Sequence, residues 1–243
     1  PRTKAILPVH LYGLPAAMDK ITLIAQKYNL IIIEDCAQAF GAAIQGQKVG
    51  TFGKAGCYSF YPSKNLGGFG DGGMLITDSR ELADKVKLLR NHASKGGYLH
   101  EGIGHNSRLD EIQAALLLVK LKKVDLYNHI RVEKARYYTE QLDGTVICPY
   151  VPEGYTHVFH QYTIRHPERD RIREALHSKG ISSVIYYPVP MHKQPSLKEL
   201  GYKDGSLPET ERAAKEVLSL PMHPFLSSEQ QDMVCETIKN TLS

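Results

Sequence analysis

The run Leu30-Ile31-Ile32-Ile33 is aliphatic without interruption until it meets Glu34 and Asp35. A strand with one wet face alternates apolar and polar residues, whereas a strand covered on both faces reads as a continuous run. Such a strand has to lie inside a sheet with helices against it. The preceding segment supplies one helix. Over residues 17–28, Ile21, Ile24, Ala25 and Tyr28 recur at helical spacing, and Asn29 is a natural terminator. Ahead of it, residues 5–9 form a first apolar run. Strand, helix and strand within about thirty residues make a βαβ unit, whose two strands are parallel. Two more strand-length runs follow at 56–60 and 74–77, so the fold class expected is α/β.

Further on, Leu82, Val86 and Leu89 predict a helix over 80–91. A long helical stretch is expected over 107–142, with Leu109, Ile112, Leu116 and Val119 as its apolar stripe and a break near 122–125. Lys120, Lys122 and Lys123 read as a solvated face, and Gly144 as a C-terminal cap. Prolines at 149, 152, 167, 188, 190 and 195 then punctuate shorter elements. Strands are expected at 162–165 and 182–186 around a helix at 168–178 closed by Gly180, with two more helices at 210–218 and 227–242. This change of texture puts a domain boundary near residue 127, giving domains 1–127 and 128–243.

Of 243 residues, 42% are hydrophobic and 23% charged, enough for a real core. Thirty Lys and Arg against 26 Asp and Glu leave a net charge of only +4, so neither nucleic acid nor a membrane surface is an expected partner. The longest aliphatic run, 114–119, falls far short of the ~20 residues of a membrane span. Cys36, Cys57, Cys148 and Cys235 form no close pair, so a reducing, cytoplasmic setting is expected. The chain opens on Pro-Arg-Thr-Lys and runs directly into a strand, which leads us to expect a piece cut from something longer.

Four segments carry residue types suited to chemistry. Glu34-Asp35-Cys36-Ala37-Gln38 closes the aliphatic strand, where α/β folds place ligands, although a lone Asp there is also an ordinary turn former. Ser59-Phe60-Tyr61-Pro62-Ser63-Lys64-Asn65-Leu66 follows the third strand. A lysine desolvated there has a lowered pKa and is a Schiff-base nucleophile; an exposed loop lysine is the plainer reading. Gly68, Gly70 and Gly73 match G-x-G-x-x-G formally, but they precede a strand instead of joining strand to helix, so a tight loop beside Lys64 is the better account. Asn106-Ser107-Arg108-Leu109-Asp110-Glu111 opens the long helix with Asn106 or Ser107 as N-cap, leaving Asn106 and Arg108 able to meet an anion. His157 and His160 lack a metal-binding spacing, and no metal is expected. Tyr186-Tyr187-Pro188-Val189-Pro190-Met191-His192 is an aromatic, proline-rich loop, for which surface packing is an equal reading.

Together with Pro8-Val9-His10-Leu11-Tyr12-Gly13 and Gly70-Asp71-Gly72-Gly73, these segments stand in an order that resembles the pyridoxal-phosphate (PLP)-dependent sugar-nucleotide aminotransferases of the DegT/StrS type. The resemblance implies fold-type I: a large α/β domain with a mixed, mostly parallel sheet and a smaller C-terminal α/β domain, here with the N-terminal part of the large domain missing. It implies that Lys64 carries the cofactor through an imine, that Asp35 pairs with the pyridinium nitrogen, and that Gln38 lies near the ring's O3′ face. It implies that Ser59 binds the cofactor phosphate, that Asn106 reaches the phosphate site of a neighbouring subunit in a homodimer with shared active sites, and that His192 lies near the sugar nucleotide. The implied reaction moves an amino group, from an amino-acid donor such as glutamate, to a 3-keto or 4-keto 6-deoxyhexose linked to a nucleotide. A non-catalytic, regulatory PLP-binding relative is the alternative. A sugar dehydratase of the same family would replace Lys64, and a dinucleotide-dependent oxidoreductase is more remote still.

Overall fold

The computed structural model describes residues 2–243, which divide into two compact units: the described residues up to 129 with 151–160, and residues 130–150 with 161–243. In the first unit the expected βαβ unit is present. Strand β1 (Ala5–Ile6), helix α1 (Met18–Tyr28) and strand β2 (Ile31–Asp35) follow one another, and β1 pairs parallel with β2. Asn29 ends α1 in the left-handed conformation, at φ 50°. After a small antiparallel pair, β3 (Ala43–Ile44) and β4 (Gln47–Lys48), strand β5 (Ala55–Ser59) joins β2 in parallel, and β6 (Gly73–Ile76) closes the sheet antiparallel to β5. The order is β1-β2-β5-β6, a mixed and mostly parallel sheet.

Helix α2 (Arg80–Arg90), the hairpin β7 (Ser94–Gly96) and β8 (Leu99–His100), and helices α3 (Glu111–Leu121) and α4 (Val124–Leu142) follow. Strand β9 (Tyr155–Thr156) returns to pair with β3. One core cluster gathers Met18, Ala25, Ile32 and Ile44 between α1 and the sheet. A second joins Phe60, Leu66, Leu117 and Val124.

The second unit is built on β10 (Tyr162–Arg165) paired antiparallel with β11 (Val217–Leu220). Helices α5 (Arg169–Ser178) and α7 (Ser228–Leu242) pack on each other, and α6 (Pro208–Glu216) leads into β11. Ile164, Ile172, Leu176, Leu218 and Ile238 are fully buried here. Ser227 and Gln230 form a reciprocal capping box at the start of α7.

Several expectations need correction. The 107–142 helix begins at Glu111, because the backbone of Asn106 and Ser107 is drawn into a bridge with the end of α2: Asn106 pairs with Asn91, and the Ser107 N–H donates to Arg90 O at 2.9 Å. Neither residue caps the helix; Asp110 occupies that position without a side-chain hydrogen bond. The buried face of α3 also differs from the expected stripe. Leu117 is the buried residue of α3, while Ile112 is 76% and Val119 66% exposed. On α1, Met18 and Ala25 are buried but Ile24 and Tyr28 are not. Residues 182–186 make only an isolated bridge, Val184 to Ser219. The 210–218 helix stops at Glu216, because its last apolar residues pair with β10 instead. At 106–107 and 217–220 long-range pairing overrides local spacing, the ordinary limit of propensity arguments.

Candidate active site

Side chains alternate across β2, and this alternation sets up the site. Glu34 points one way and is fully buried. Its Oε1 accepts the N–H groups of Phe52 and Gly53, each at 2.8 Å; its Oε2 accepts Gly50 N–H at 2.7 Å and faces His10 Nε2 at 3.1 Å. To deliver these amides, the 50–53 loop crosses directly over β5 at Gly56. A Cβ on Gly56 would lie 2.4 Å from the Gly50 Cα, so only glycine fits there. Burial pushes the Glu34 carboxyl up, but His10 and the three amides outweigh it, and the group ends below its ordinary 4.5. The unfolded chain therefore binds the extra proton first. The stabilisation is complete above 4.5 and is lost as pH falls through the folded value. Glu34→Gln is expected to flatten the stability profile below pH 4.5, read by urea unfolding across a pH series; an unchanged acid limb would show that Glu34 contributes nothing there.

Asp35 points the other way and is half-buried. Its backbone is held on both sides: the Asp35 N–H donates to Pro8 O at 2.9 Å, and the His10 N–H donates to Asp35 O at 3.1 Å. Its Oδ1 accepts the Ala37 N–H at 3.0 Å. Lys64 is half-buried on the turn after β5. Burial lowers the pKa of its amine below the ordinary 10.5, and the Asp35 charge pulls it back up. Asp35 thus ends one strand and Lys64 follows the end of its parallel neighbour, near enough for the carboxylate to act on the amine. Ser59 ends β5 and its Oγ accepts the Tyr61 N–H at 3.2 Å. Gln38 Oε1 accepts the Tyr12 N–H at 2.6 Å.

The glycine-rich loop after Lys64 is tied down from α3. Gln113 Oε1 accepts the Phe69 N–H at 2.8 Å, and the Lys120 ammonium donates to Gly67 O. Lys120 is therefore not the solvated residue expected, and its stem is partly covered by the loop it holds.

Asn106 is exposed and lines a cavity of about 960 Å³ together with Phe60, Gly72, Met74, Arg90 and Arg108. Asp35, Gln38, Ser59 and Lys64 do not line that cavity. His192 lies in the second unit and is buried, with Nε2 3.2 Å from Glu211 Oε1 and its ring against Tyr202. Lys193, the Gly205 N–H and His192 hold the Glu211 carboxyl down at about 2.

Other residues at the site went unassigned by sequence reasoning. Asn65, next to Lys64, donates from Nδ2 to Asn128 Oδ1 at 2.7 Å and to Val158 O at 2.9 Å. Its Oδ1 is left to accept from His160 Nδ1 at 3.2 Å, which assigns a proton to that nitrogen. Asn128 in turn donates to Phe40 O. His157 is buried and its pKa falls to about 3. His10, Glu34 and Cys36 bring three ligand-type atoms within 4.8 Å of one another. Each of the first two is already engaged: both Glu34 oxygens are saturated, and His10 Nδ1 accepts the Ala16 N–H at 3.0 Å. Burial, with Glu34 and Asp35 nearby, pushes the Cys36 thiol up to about 12. The cluster is a hydrogen-bonded one, in which a cation would have to displace existing partners.

An acid and a desolvated lysine at the carboxyl ends of neighbouring parallel strands define a site of the kind fold-type I transferases carry. The chain belongs to the DegT/DnrJ/EryC1/StrS aminotransferase family, whose sequence model matches residues 1–239. It is 51% identical over 243 residues to an Acidithiobacillus ferrooxidans UDP-N-acetyl-3-dehydro-alpha-D-glucosamine 3-aminotransferase, covering 100% of this chain and 65% of that protein. It is 52% identical over 241 residues to a Geobacillus stearothermophilus protein named pleiotropic regulatory protein, covering 98% and 65%. The crystal structure of S. venezuelae DesV in complex with a ketimine intermediate superposes with a TM-score of 0.94 at 42% identity, covering 99% of this chain and 65% of that one. The chain thus spans about 65% of the length of these relatives.

Proposed function

We propose that the protein is a PLP-dependent aminotransferase that transfers an amino group, from glutamate, to the keto carbon of a nucleotide-linked sugar. The observation that carries this reading is the placement of Asp35 and the half-buried Lys64 at the carboxyl ends of two adjacent parallel strands, β2 and β5, where burial lowers the pKa of the Lys64 amine. The residues fit the cofactor's needs: an acid for a ring nitrogen, an amine for a carbonyl, and a hydroxyl, Ser59, at the strand end for a phosphate. When bound, PLP would supply an electron sink. Asp35 would hold the proton on the ring nitrogen, Gln38 would meet the O3′ side, and Lys64 would both anchor the cofactor and move the donor's α-proton. The expected boundary near 127 lies within two residues of the division at 129, and we propose that the first unit is the PLP-binding large domain, with 151–160 returning to it, and the second the small domain.

The A. ferrooxidans relative is named for a 3-dehydro sugar, which favours the 3-keto over the 4-keto class. A panel of 3-keto and 4-keto sugar nucleotides, incubated with glutamate and PLP, should yield amino sugars detectable by mass spectrometry. Bound PLP with no product from any of them would favour the second reading, a regulatory relative, for which the G. stearothermophilus protein's name is the motive. We also propose that His192 is a contact of the sugar nucleotide. The four free cysteines suit a reducing compartment, and we place the reaction in the cytoplasm.

We read the enzyme as a homodimer in which Asn106 completes the partner's phosphate site. Its exposure, on a segment that caps nothing, suits a contact made outside its own unit. Mixing inactive Lys64→Ala and Asn106→Asp subunits should restore activity, since one site of a hybrid carries neither change. Subunits that demonstrably exchange without any recovery would rule out the shared site.

A further inference from the structure

We infer that the buried His10–Glu34 pair is a positioning device for Gln38, acting through Tyr12; the inference rests on the PLP-binding reading above. Both side chains of the pair are fully buried. Glu34 is fixed by three backbone amides of the 50–53 loop, so it cannot turn away from His10. The His10 ring spans two elements. Its Nδ1 accepts the Ala16 N–H at 3.0 Å, which leaves the proton on Nε2, aimed at Glu34 Oε2 at 3.1 Å. The ring therefore closes residues 10–16 into a compact turn and pins that turn to β2 from behind.

What that turn presents in front is the Tyr12 N–H, donated to Gln38 Oε1 at 2.6 Å. Tyr12 reaches this position only in the left-handed conformation, at φ 60°, which is costly for a residue with a Cβ. Its neighbour Gly13, at φ 100°, passes so close to the 158–160 segment that a Cβ would meet His160 N and Val158 Cγ2 at 2.9 Å. A strained turn of this kind persists only where its surroundings over-determine it. His10 supplies that constraint from inside the turn, and Gly13, whose carbonyl accepts the Val158 N–H, from outside. Asp35 depends less on the side chain of His10, because its backbone is already paired with Pro8 and the His10 amide and lies in register with β5. Loss of the His10 ring should thus be felt first at Gln38.

The test uses the holoenzyme and compares His10→Leu, His10→Gln and, as a control for lost stability alone, Leu176→Ala in the core of the second unit. Gln retains a donor that reaches Glu34; Leu retains none. We expect His10→Leu to raise the Kd for PLP by about tenfold, the effect of one misplaced buried hydrogen bond, with His10→Gln recovering most of it and Leu176→Ala leaving Kd unchanged. In a Gln38→Ala background the His10→Leu effect should shrink to less than about threefold, because the group being positioned is gone. An unchanged Kd in His10→Leu, or full additivity with Gln38→Ala, overturns the inference. Amide hydrogen exchange without the cofactor gives an independent arm. Exchange over residues 10–16 should speed up in His10→Leu and not in Leu176→Ala; no change there also overturns the inference. A parent protein that never binds PLP would instead sink the aminotransferase reading, while the exchange arm still decides whether His10 holds the turn.

Discussion

Lys64→Ala is expected to abolish the visible absorbance that PLP acquires on the protein and to reduce transamination by at least ~10⁴-fold, because in the proposed reaction one side chain would serve as both anchor and proton carrier. Its place in the fold makes this assignment specific. Lys64 lies on the turn that leaves β5, its own N–H donates to Tyr61 O, and the loop beyond it is held by Gln113 and Lys120. Lys120 is the other lysine at this loop, and its ammonium is already engaged with Gly67 O. Burial lowers the pKa of the Lys64 amine, which raises the fraction able to attack a carbonyl at neutral pH. Lys64→Arg keeps a charge but can neither form the imine nor shuttle the proton, so it should be as inactive as alanine. Borohydride reduction of the loaded protein followed by peptide mapping checks the assignment directly. A pyridoxyl group found on any other lysine would overturn it.

Much of this site was legible because it is local. The aliphatic run ending in Glu34-Asp35, and a lysine between a strand and a glycine loop, are both contiguous signals. Short apolar runs made β1, β2, β5 and β6 readable as strands, but the expectation that β2 is covered on both faces needs correction: Ile32 and Glu34 are buried on one side, whereas Ile31 is 53% exposed on the other. What could not be read was set by distant partners. Asn65 is fixed by Asn128 and by the 158–160 segment, 63 and 93 residues further on. The start of α3 was misplaced because Asn106 and Ser107 look like N-caps until α2 claims their backbone. Residues 217–220 look like the end of a helix until β10 is beside them. Glu34 lies between these cases. An acid closing an aliphatic strand run is a visible anomaly that calls for several donors, but which loop supplies them is not written locally.

Asp35→Asn is expected to lower kcat by at least ~10²-fold while leaving the fold intact, in line with removal of other preorganised electrostatic partners. The substitution is close to a pure change of charge. The backbone of residue 35 stays paired with Pro8, His10 and β5, and an amide oxygen can still accept the Ala37 N–H. What disappears is the negative charge that raises the pKa of Lys64. Two consequences follow, and they can be measured separately. Without a carboxylate for the ring nitrogen, bound PLP would be a poorer electron sink, which should appear in kcat more than in the affinity for the amino donor. Without the cofactor, Lys64 loses the charge that raises its pKa, so its amine should deprotonate at lower pH than in the parent. The pH profile for capture of PLP by the protein should accordingly shift to the acid side in Asp35→Asn. A near-normal kcat would remove Asp35 from the ring nitrogen, and an unshifted capture profile would show that Asp35 and Lys64 do not share a site.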